Sequence, residues 1–124
     1  EGAIASTVSH DSHNVTVIYR DPAPASIAVN ALIQCGGGLA YVDGKGTLTV
    51  LPLPVGGLMS ADEPEKVAEL VEKIETAYRA ANGKDAPLMN VVVMALPVVP
   101  VLRMSDLGIV DVLAQKVTPL FLET

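Results

Sequence analysis

Aromatic residues and cysteine are scarce in this chain of 124 residues, half of which are hydrophobic. It contains no tryptophan, three tyrosines and one phenylalanine, so the core must be built from aliphatic side chains and alanine. The single cysteine, Cys35, excludes an internal disulfide, and it lies in an apolar stretch where a buried thiol behaves as a small hydrophobic group. Length and composition together predict one globular domain, residues 1–124.

Basic charge is also scarce, with eight Lys and Arg against fourteen Asp and Glu and a net charge of -6. Without a basic cluster the chain lacks the counterion release that drives nucleic-acid binding, so DNA, RNA and anionic membranes are excluded as partners. The longest apolar run, residues 91–102, is interrupted by Pro97 and Pro100 and is shorter than the roughly 20 residues of a spanning helix. No basic segment opens a signal peptide, and the sequence therefore predicts a cytoplasmic location.

The first half of the chain alternates strand and helix signals. Residues 4–9 and 15–19 are rich in Val, Ile and Thr and predict two strands joined by a short turn. Asp21 and Pro22 predict the start of a helix that runs to about Cys35 and ends in three glycines. Residues 39–42 and 47–51 flank Asp-Gly-Lys-Gly and predict a hairpin. The residues expected on the buried face of this helix are Ile27, Ala28, Ala31, Leu32 and Cys35.

The second half begins with an extended segment, residues 51–59, whose prolines predict that it follows a sheet edge or crosses a surface. Residues 60–63 resemble a capping box, and a helix of about twenty residues is expected to follow up to Asn82. Acid–base pairs four residues apart mark its solvent face, and we assign them no chemistry. These pairs are Asp62 with Lys66, Glu69 with Lys73 and Glu75 with Arg79. The apolar residues expected on its buried face are Val67, Leu70, Val71, Ile74, Ala77, Tyr78 and Ala81.

Residues 90–96 predict a central strand, residues 105–108 a turn and residues 117–122 a last strand. The mixture of strands, hairpins and two helices predicts an α+β fold with a mixed, largely antiparallel β-sheet covered by two main helices.

Polar chemistry concentrates in five consecutive residues between the first two predicted strands, which we name the histidine loop: His10, Asp11, Ser12, His13 and Asn14. They include both histidines of the chain. Such a group could bind a metal, transfer a proton, or form a tight turn that Asp11 and Asn14 suit. Two imidazoles in a turn supply only two good ligands, so a metal would need donors from another domain. The sequence predicts no metal ligand in this chain alone.

Other catalytic patterns are missing from the sequence. No Gly-x-Ser-x-Gly nucleophile elbow occurs, which argues against a serine hydrolase. The glycines at 36–38 follow a predicted helix and precede a strand, the reverse of the order found in phosphate-binding loops, so they indicate a helix stop.

Several blocks of the chain resemble the C-terminal domain of adenine deaminases in the amidohydrolase superfamily, and they occur in the order of that family. The most specific is Gly-Ala-Ile-Ala-Ser-Thr-Val-Ser-His-Asp-Ser-His-Asn at residues 2–14. The others are Ala-Val-Asn at 28–30, Leu-Ile at 32–33, Gly-Gly-Gly-Leu at 36–39, Leu-Pro-Leu-Pro at 51–54, Gly-Leu-Met-Ser at 57–60 and Ala-Leu-Pro-Val-Val-Pro at 95–100.

The resemblance implies a parent enzyme that hydrolyses adenine to hypoxanthine and ammonia with a divalent metal, Mn or Fe, held in an N-terminal barrel domain of the same polypeptide. The family's metal ligands have no counterpart in this sequence, so the isolated chain is expected to be inactive. We also expect a homo-oligomer. An alternative function is a non-catalytic module for domain packing or oligomerisation.

Within the histidine loop, the family resemblance and the chemistry of the side chains select candidates for two roles. His10, Asp11 and His13 are the candidates for catalysis, in substrate or proton handling. Ser12 and Asn14 are the candidates for substrate binding. A purely structural turn remains open beside these roles.

Overall fold

A computed structural model describes residues 1–83 and 88–121 of the chain. The elements in chain order are β1 (Ala3–Ser6), β2 (Thr16–Tyr19), α1 (Pro22–Cys35), β3 (Gly38–Val42), β4 (Leu48–Pro52), α2 (Pro64–Asn82), α3 (Met89–Val92), β5 (Leu102–Ser105), β6 (Gly108–Asp111) and β7 (Lys116–Thr118). No helix in these ranges combines the length and the apolar composition that a membrane span requires.

The main sheet has four antiparallel strands in the order β2-β1-β3-β4. Ala3 pairs with Tyr19 in the first hairpin, and Val42 pairs with Leu48 in the second, so both predicted hairpins are confirmed. The first strand ends at Ser6, earlier than predicted, because the Val8 N–H donates to the Ser6 hydroxyl oxygen at 3.0 Å instead of continuing the ladder.

Successive residues of a strand point to opposite sides of a sheet, so each strand contributes side chains to both faces. The two main helices cover these two faces, one helix on each. The face toward α2 carries large side chains, and the face toward α1 carries small ones, so that α1 packs through alanines. The α2 side consists of Ile4, Leu39, Tyr41, Leu51 and Leu53 with Ile74 and Val91; the α1 side consists of Ala5, Ala40 and Val42 with Ala28 and Leu32. The α+β class and its two covering helices are confirmed.

Helix α1 begins at Pro22 and ends before Gly36, as predicted. Gly36 adopts a left-handed φ of 81° and donates its N–H to the Leu32 carbonyl, which ends the helix. Ala28 and Leu32 are buried, but Ile27 is 43% exposed, so its place on the buried face was predicted wrongly. One residue turns a helix by about 100°, which puts Ile27 beside the narrow alanine-sized stripe that meets the sheet.

Helix α2 begins at Pro64, so the predicted capping box is wrong. Proline has a fixed φ and no N–H, which suits the first helical position, and the N-cap Glu63 makes no side-chain cap bond. The Ser60 hydroxyl instead accepts the Asp62 N–H at 3.1 Å in the preceding turn. Ile74 is fully buried, whereas Ala81 is exposed near the helix end.

Two of the three predicted acid–base pairs on α2 form. Asp62 pairs with Lys66 at 2.8 Å and Glu75 with Arg79 at 2.6 Å, both exposed to solvent. The third predicted pair, Glu69 with Lys73, is not within ion-pair distance in the described part of the chain. Exposed pairs of this kind add little stability, in agreement with a solvated helix face.

Two tyrosines join α2 to the sheet. Tyr41 of β3 and Tyr78 of α2 meet edge to face, with ring centroids 6.1 Å apart and planes at 87°. The Tyr41 side chain is 2% exposed, and its hydroxyl has no hydrogen-bond partner among the described residues. Burial raises the pKa of Tyr41 above its ordinary value, with the nearby Asp43 carboxylate adding to the effect.

The predicted central strand over residues 90–96 is wrong. This segment forms the short helix α3 followed by turns, in which the Val91 N–H donates to the Leu88 carbonyl and the Leu96 N–H to the Val93 carbonyl. Because these N–H groups find carbonyls three residues back, the segment needs no strand partner. A short apolar run cannot be assigned to strand or helix by periodicity alone.

A second, three-stranded antiparallel sheet has the order β5-β6-β7. The predicted turn at 105–108 is confirmed, since Ser105 pairs with Gly108 across the β5–β6 hairpin. The predicted last strand is confirmed only in part: β7 starts at Lys116 and ends at Thr118. Leu122, the end of that prediction, lies outside the described residues.

The β3–β4 hairpin depends on the Asp43 carboxylate, which accepts the backbone N–H groups of Thr47 and Lys45, both at 2.8 Å. The bond from Thr47 is the main cause that lowers the pKa of Asp43 below its ordinary value of 3.8. Because the pKa is lower in the folded than in the unfolded state, this stabilisation is present above the unfolded pKa. It is lost as the pH falls through the folded-state pKa.

We therefore expect Asp43→Asn to lower the urea midpoint at pH 7 and to reduce the fall of that midpoint between about pH 5 and pH 2. Urea unfolding followed at several pH values measures both effects. Asp21→Asn is the control, because Asp21 makes no side-chain cap bond on α1. Parallel curves for Asp43→Asn and the unmodified chain would contradict the prediction.

Candidate functional site

The histidine loop is closed at its base by Ser9 and Thr16. Ser9 is fully buried, and its hydroxyl lies 2.6 Å from the Thr16 hydroxyl across the loop. The His13 N–H donates to the Ser9 carbonyl at 2.8 Å. Asp11 and Asn14 make no side-chain hydrogen bond within the described part of the chain, so the turn does not depend on the residues that the sequence suggested for it.

A cluster of glycines anchors the N-terminal stem of the loop. The Gly38 N–H donates to the Thr7 hydroxyl oxygen at 2.8 Å, and that hydroxyl donates to the Gly57 carbonyl. Gly37 has a φ of 113°, and a Cβ placed there would lie 2.5 Å from the Gly57 Cα and 3.0 Å from the Thr7 Oγ1. Only glycine allows the backbones of residues 37 and 57 to approach this closely. Thr7 hydrogen-bonds to Gly57 and to Gly38, the residue after Gly37.

The loop brings the two imidazoles together. The ring centroids of His10 and His13 are 5.0 Å apart, with an angle of 62° between the planes. His10 is exposed and His13 is half-buried. The His13 Nδ1 atom is buried and has no hydrogen-bond partner among the described residues. His13 has a φ of 55°, a conformation that histidine adopts more readily than most residues.

The other three loop side chains, Asp11, Ser12 and Asn14, are exposed. Ser12 and Asn14 line an open cleft of about 510 Å³ next to the loop. The same cleft is lined by Met94 and Ala95 from the turns after α3 and by Met104, Ser105 and Asp106 from the β5–β6 hairpin. The sequence analysis assigned Asp106 only to a turn, since no local pattern shows that this hairpin lies beside the histidine loop.

The described residues do not fit a complete metal site. Nowhere in residues 1–83 and 88–121 do three His, Cys, Asp or Glu side chains gather so that they could hold a metal ion. His10 and His13 are two potential donors, whereas protein sites for Zn and similar metals take three or four. A metal bound at the histidine loop would need ligands from outside these residues.

Another cavity, of about 700 Å³, lies between α3 and the second sheet and is not lined by the histidine loop. The Arg103 guanidinium on its wall donates to the carbonyls of Leu102 and Pro100, at 2.7 and 2.8 Å. This arginine is therefore engaged in holding the chain before β5. The cavity is otherwise mainly apolar and brings no further candidate residue to the loop.

Comparison with known proteins gives consistent matches. The family described as the adenine deaminase C-terminal domain matches residues 1–116. The adenine deaminase of Shigella sonnei (strain Ss046) is 42% identical over 113 residues, which cover 90% of this chain and 19% of the relative. The adenine deaminase of Escherichia coli (strain K12 / DH10B) is 42% identical over 112 residues, with the same shares. The chain thus spans 19% of the length of these curated relatives.

Proposed function

Because this chain belongs to the adenine deaminase C-terminal domain family, we propose that it is the C-terminal domain of a metal-dependent enzyme that hydrolyses adenine to hypoxanthine and ammonia. The match over residues 1–116, with 42% identity over 90% of the chain, is the observation that carries this proposal. The remaining part of the polypeptide, an N-terminal barrel, would supply the ligands for Mn or Fe, because the described residues lack a ligand set.

The histidine loop is the part of the chain best suited to the reaction. Deamination adds water across the ring C=N bond at the carbon that bears the amino group. The amino group must then gain a proton before its C–N bond breaks and ammonia leaves. Imidazoles transfer protons near neutral pH, and His13 has a buried ring nitrogen without a partner. In this proposal His10, Asp11 and His13 handle protons at the reacting end, while Ser12 and Asn14 bind the purine.

The proposed function is tested on the full-length polypeptide with adenine as substrate. Release of ammonia and formation of hypoxanthine are expected, with activity lost after chelation and restored by Mn or Fe. The isolated chain of 124 residues is expected to be inactive under the same conditions, because it lacks the metal ligands. Failure of the metal-loaded polypeptide to release ammonia from adenine would contradict the proposal.

A second candidate function, a module for domain packing or oligomerisation, is favoured by the apolar surface near the C-terminus. Phe121 is 80% exposed and Leu107 is 78% exposed, more than is common for large apolar side chains in a stable domain surface. A barrel domain or a second copy of the chain could cover this surface. The other exposed side chains in this region are Val98, Val101, Leu102, Met104, Leu113, Val117 and Leu120.

A further inference from the structure

The two helices that cover the main sheet differ in their charge. Helix α1 has no Asp, Glu, Lys or Arg among its 14 residues, whereas α2 has seven Glu, Lys and Arg residues among 19. A helix whose outer side faces water normally carries charged residues on that side. Helix α2 follows this rule and forms two exposed ion pairs. The outer side of α1 therefore needs a different explanation.

The outer side of α1 presents a continuous uncharged surface, which we name the α1 stripe. Its residues are spaced by three and four positions, so they share one side of the helix, and all of them are exposed. Ile33 is 70% exposed and Ile27 is 43% exposed. Within residues 1–83 and 88–121, α1 packs on the main sheet through its opposite side, with Ala28 and Leu32. The α1 stripe consists of Ala23, Ser26, Ile27, Asn30, Ile33 and Gln34.

The composition of the α1 stripe is typical of an interface between domains. The cores of protein interfaces are depleted of charged residues, and interfaces between domains of one chain retain polar groups. The two isoleucines supply apolar area, and Ser26, Asn30 and Gln34 supply uncharged groups that form hydrogen bonds. The surface that covers the stripe must itself be uncharged, because a charge buried against it would find no opposite charge on α1.

The first residues of the chain lie beside one end of the α1 stripe. Glu1 and Gly2 line a cleft of about 570 Å³ together with Ala23 and Ile27 from the first turns of α1. The Arg20 N–H donates to the Gly2 carbonyl at 3.4 Å, just before α1 begins. Glu1 also lines a smaller cleft, of about 180 Å³, at the end of α2, the helix with the charged outer side. The uncharged surface next to Glu1 is therefore that of α1.

We infer that the α1 stripe docks against the part of the polypeptide that precedes residue 1. The inference rests on the proposed function, in which the chain is the C-terminal domain of a longer enzyme. The chain spans 19% of the length of its curated relatives and matches a family described as a C-terminal domain, so most of such a polypeptide precedes Glu1. That part enters beside Ala23 and Ile27 and needs no long connection to cover the stripe. A tethered partner has a high effective concentration at the stripe, which a second copy of the chain lacks.

The test measures the accessibility of residue 33 in the full-length polypeptide. Ile33→Cys and the matched control Glu72→Cys, at an exposed position of α2, are treated with a maleimide, and peptide mass spectrometry separates each modified position from Cys35. A covered side chain reacts only when the docked surfaces open, so residue 33 is expected to react at least about tenfold more slowly than residue 72. In urea the two should react equally. Equal rates in the folded polypeptide, or protection of residue 33 that disappears on dilution to the monomer and so identifies a second copy, would overturn the inference.

Ile33→Lys gives an independent measurement, with Glu72→Lys as the control that introduces the same residue. Because Ile33 is 70% exposed in this chain, lysine there leaves the domain itself folded, but it places an unpaired charge in a docked interface. Limited proteolysis of the full-length polypeptide is therefore expected to cut ahead of residue 1 about tenfold faster in Ile33→Lys and at an unchanged rate in Glu72→Lys. The same rate for both variants would contradict the docking of the α1 stripe.

Neither measurement depends on catalysis, so the docking and the proposed function can fail separately. Release of ammonia from adenine by the same preparation tests the proposed function. An inactive polypeptide in which residue 33 is protected would contradict the proposed function alone. An active polypeptide in which residue 33 reacts as fast as residue 72 would contradict the docking alone.

Discussion

His13→Asn is expected to lower the kcat of adenine deamination by the full-length enzyme by about 100-fold or more, the usual contribution of a group that transfers a proton in the transition state. His13 is half-buried, holds a ring nitrogen without a partner and contacts the His10 ring. Asparagine tolerates the left-handed φ of 55° at this position, so the loop should keep its shape. Steady-state kinetics with adenine measure the loss.

Gln115→Asn is the matched control for this variant. Gln115 has a φ of 51°, so the same residue is introduced in the same backbone conformation at a position outside the candidate site. His13→Gly extends the experiment: glycine also accepts this conformation, and added imidazole should restore part of the lost turnover. A kcat within about twofold of the unmodified enzyme for variants of both His10 and His13 would remove the proton-handling role. That result would favour the packing module.

Gly37→Ala is expected to reduce the free energy of unfolding by about 2 to 5 kcal/mol, from a left-handed backbone with a Cβ and an overpacked contact together. The added Cβ would lie 2.5 Å from the Gly57 Cα and 3.0 Å from the Thr7 Oγ1, and one of the two neighbours is backbone. Chemical denaturation of the chain with linear extrapolation gives the value.

Gly46→Ala separates the cost of a left-handed backbone from the cost of the overpacked contact. Gly46 also has a left-handed φ, of 85°, but a Cβ there meets no atom within 4 Å. Its expected cost is therefore only the conformational one, about 1 to 2 kcal/mol. Equal losses for the two variants would show that the close approach of residues 37 and 57 contributes nothing to stability.

Local chemistry explains which parts of the fold could be predicted. The start of α1 at Pro22 and the turn at Asp43 depend on residues that are neighbours in sequence, so their patterns are sufficient. Residues 90–96 were assigned wrongly because an apolar run of this length suits a strand or a buried helix equally. The strands β5 and β6 have four residues each, and in β5 the apolar Leu102 and Met104 are the exposed residues, so burial there does not follow hydrophobicity.

In the candidate site, too, the local features could be predicted and the contacts between distant elements could not. The composition of the histidine loop is visible in the sequence, and the family resemblance drawn from it is confirmed by the match over residues 1–116. The pairing of β1 with β2 brings the two ends of the loop together, and the Ser9–Thr16 contact closes its base below the His10 and His13 rings; neither contact has a pattern in the sequence. Asp106 reaches the same cleft only through the packing of the second sheet, and no spacing in the sequence reports that.

The right-angle contact of Tyr41 with Tyr78 gives this chain an internal optical reporter. Without tryptophan, the near-ultraviolet signal comes from the tyrosines, and the third of them, Tyr19, is 56% exposed. Two phenol rings held 6.1 Å apart in a fixed orientation give a circular dichroism signal in the near ultraviolet. That signal requires the packing of α2 on β3. The histidine loop contains no chromophore of this kind, so spectroscopy can follow the undocking of α2 without interference from events at the site.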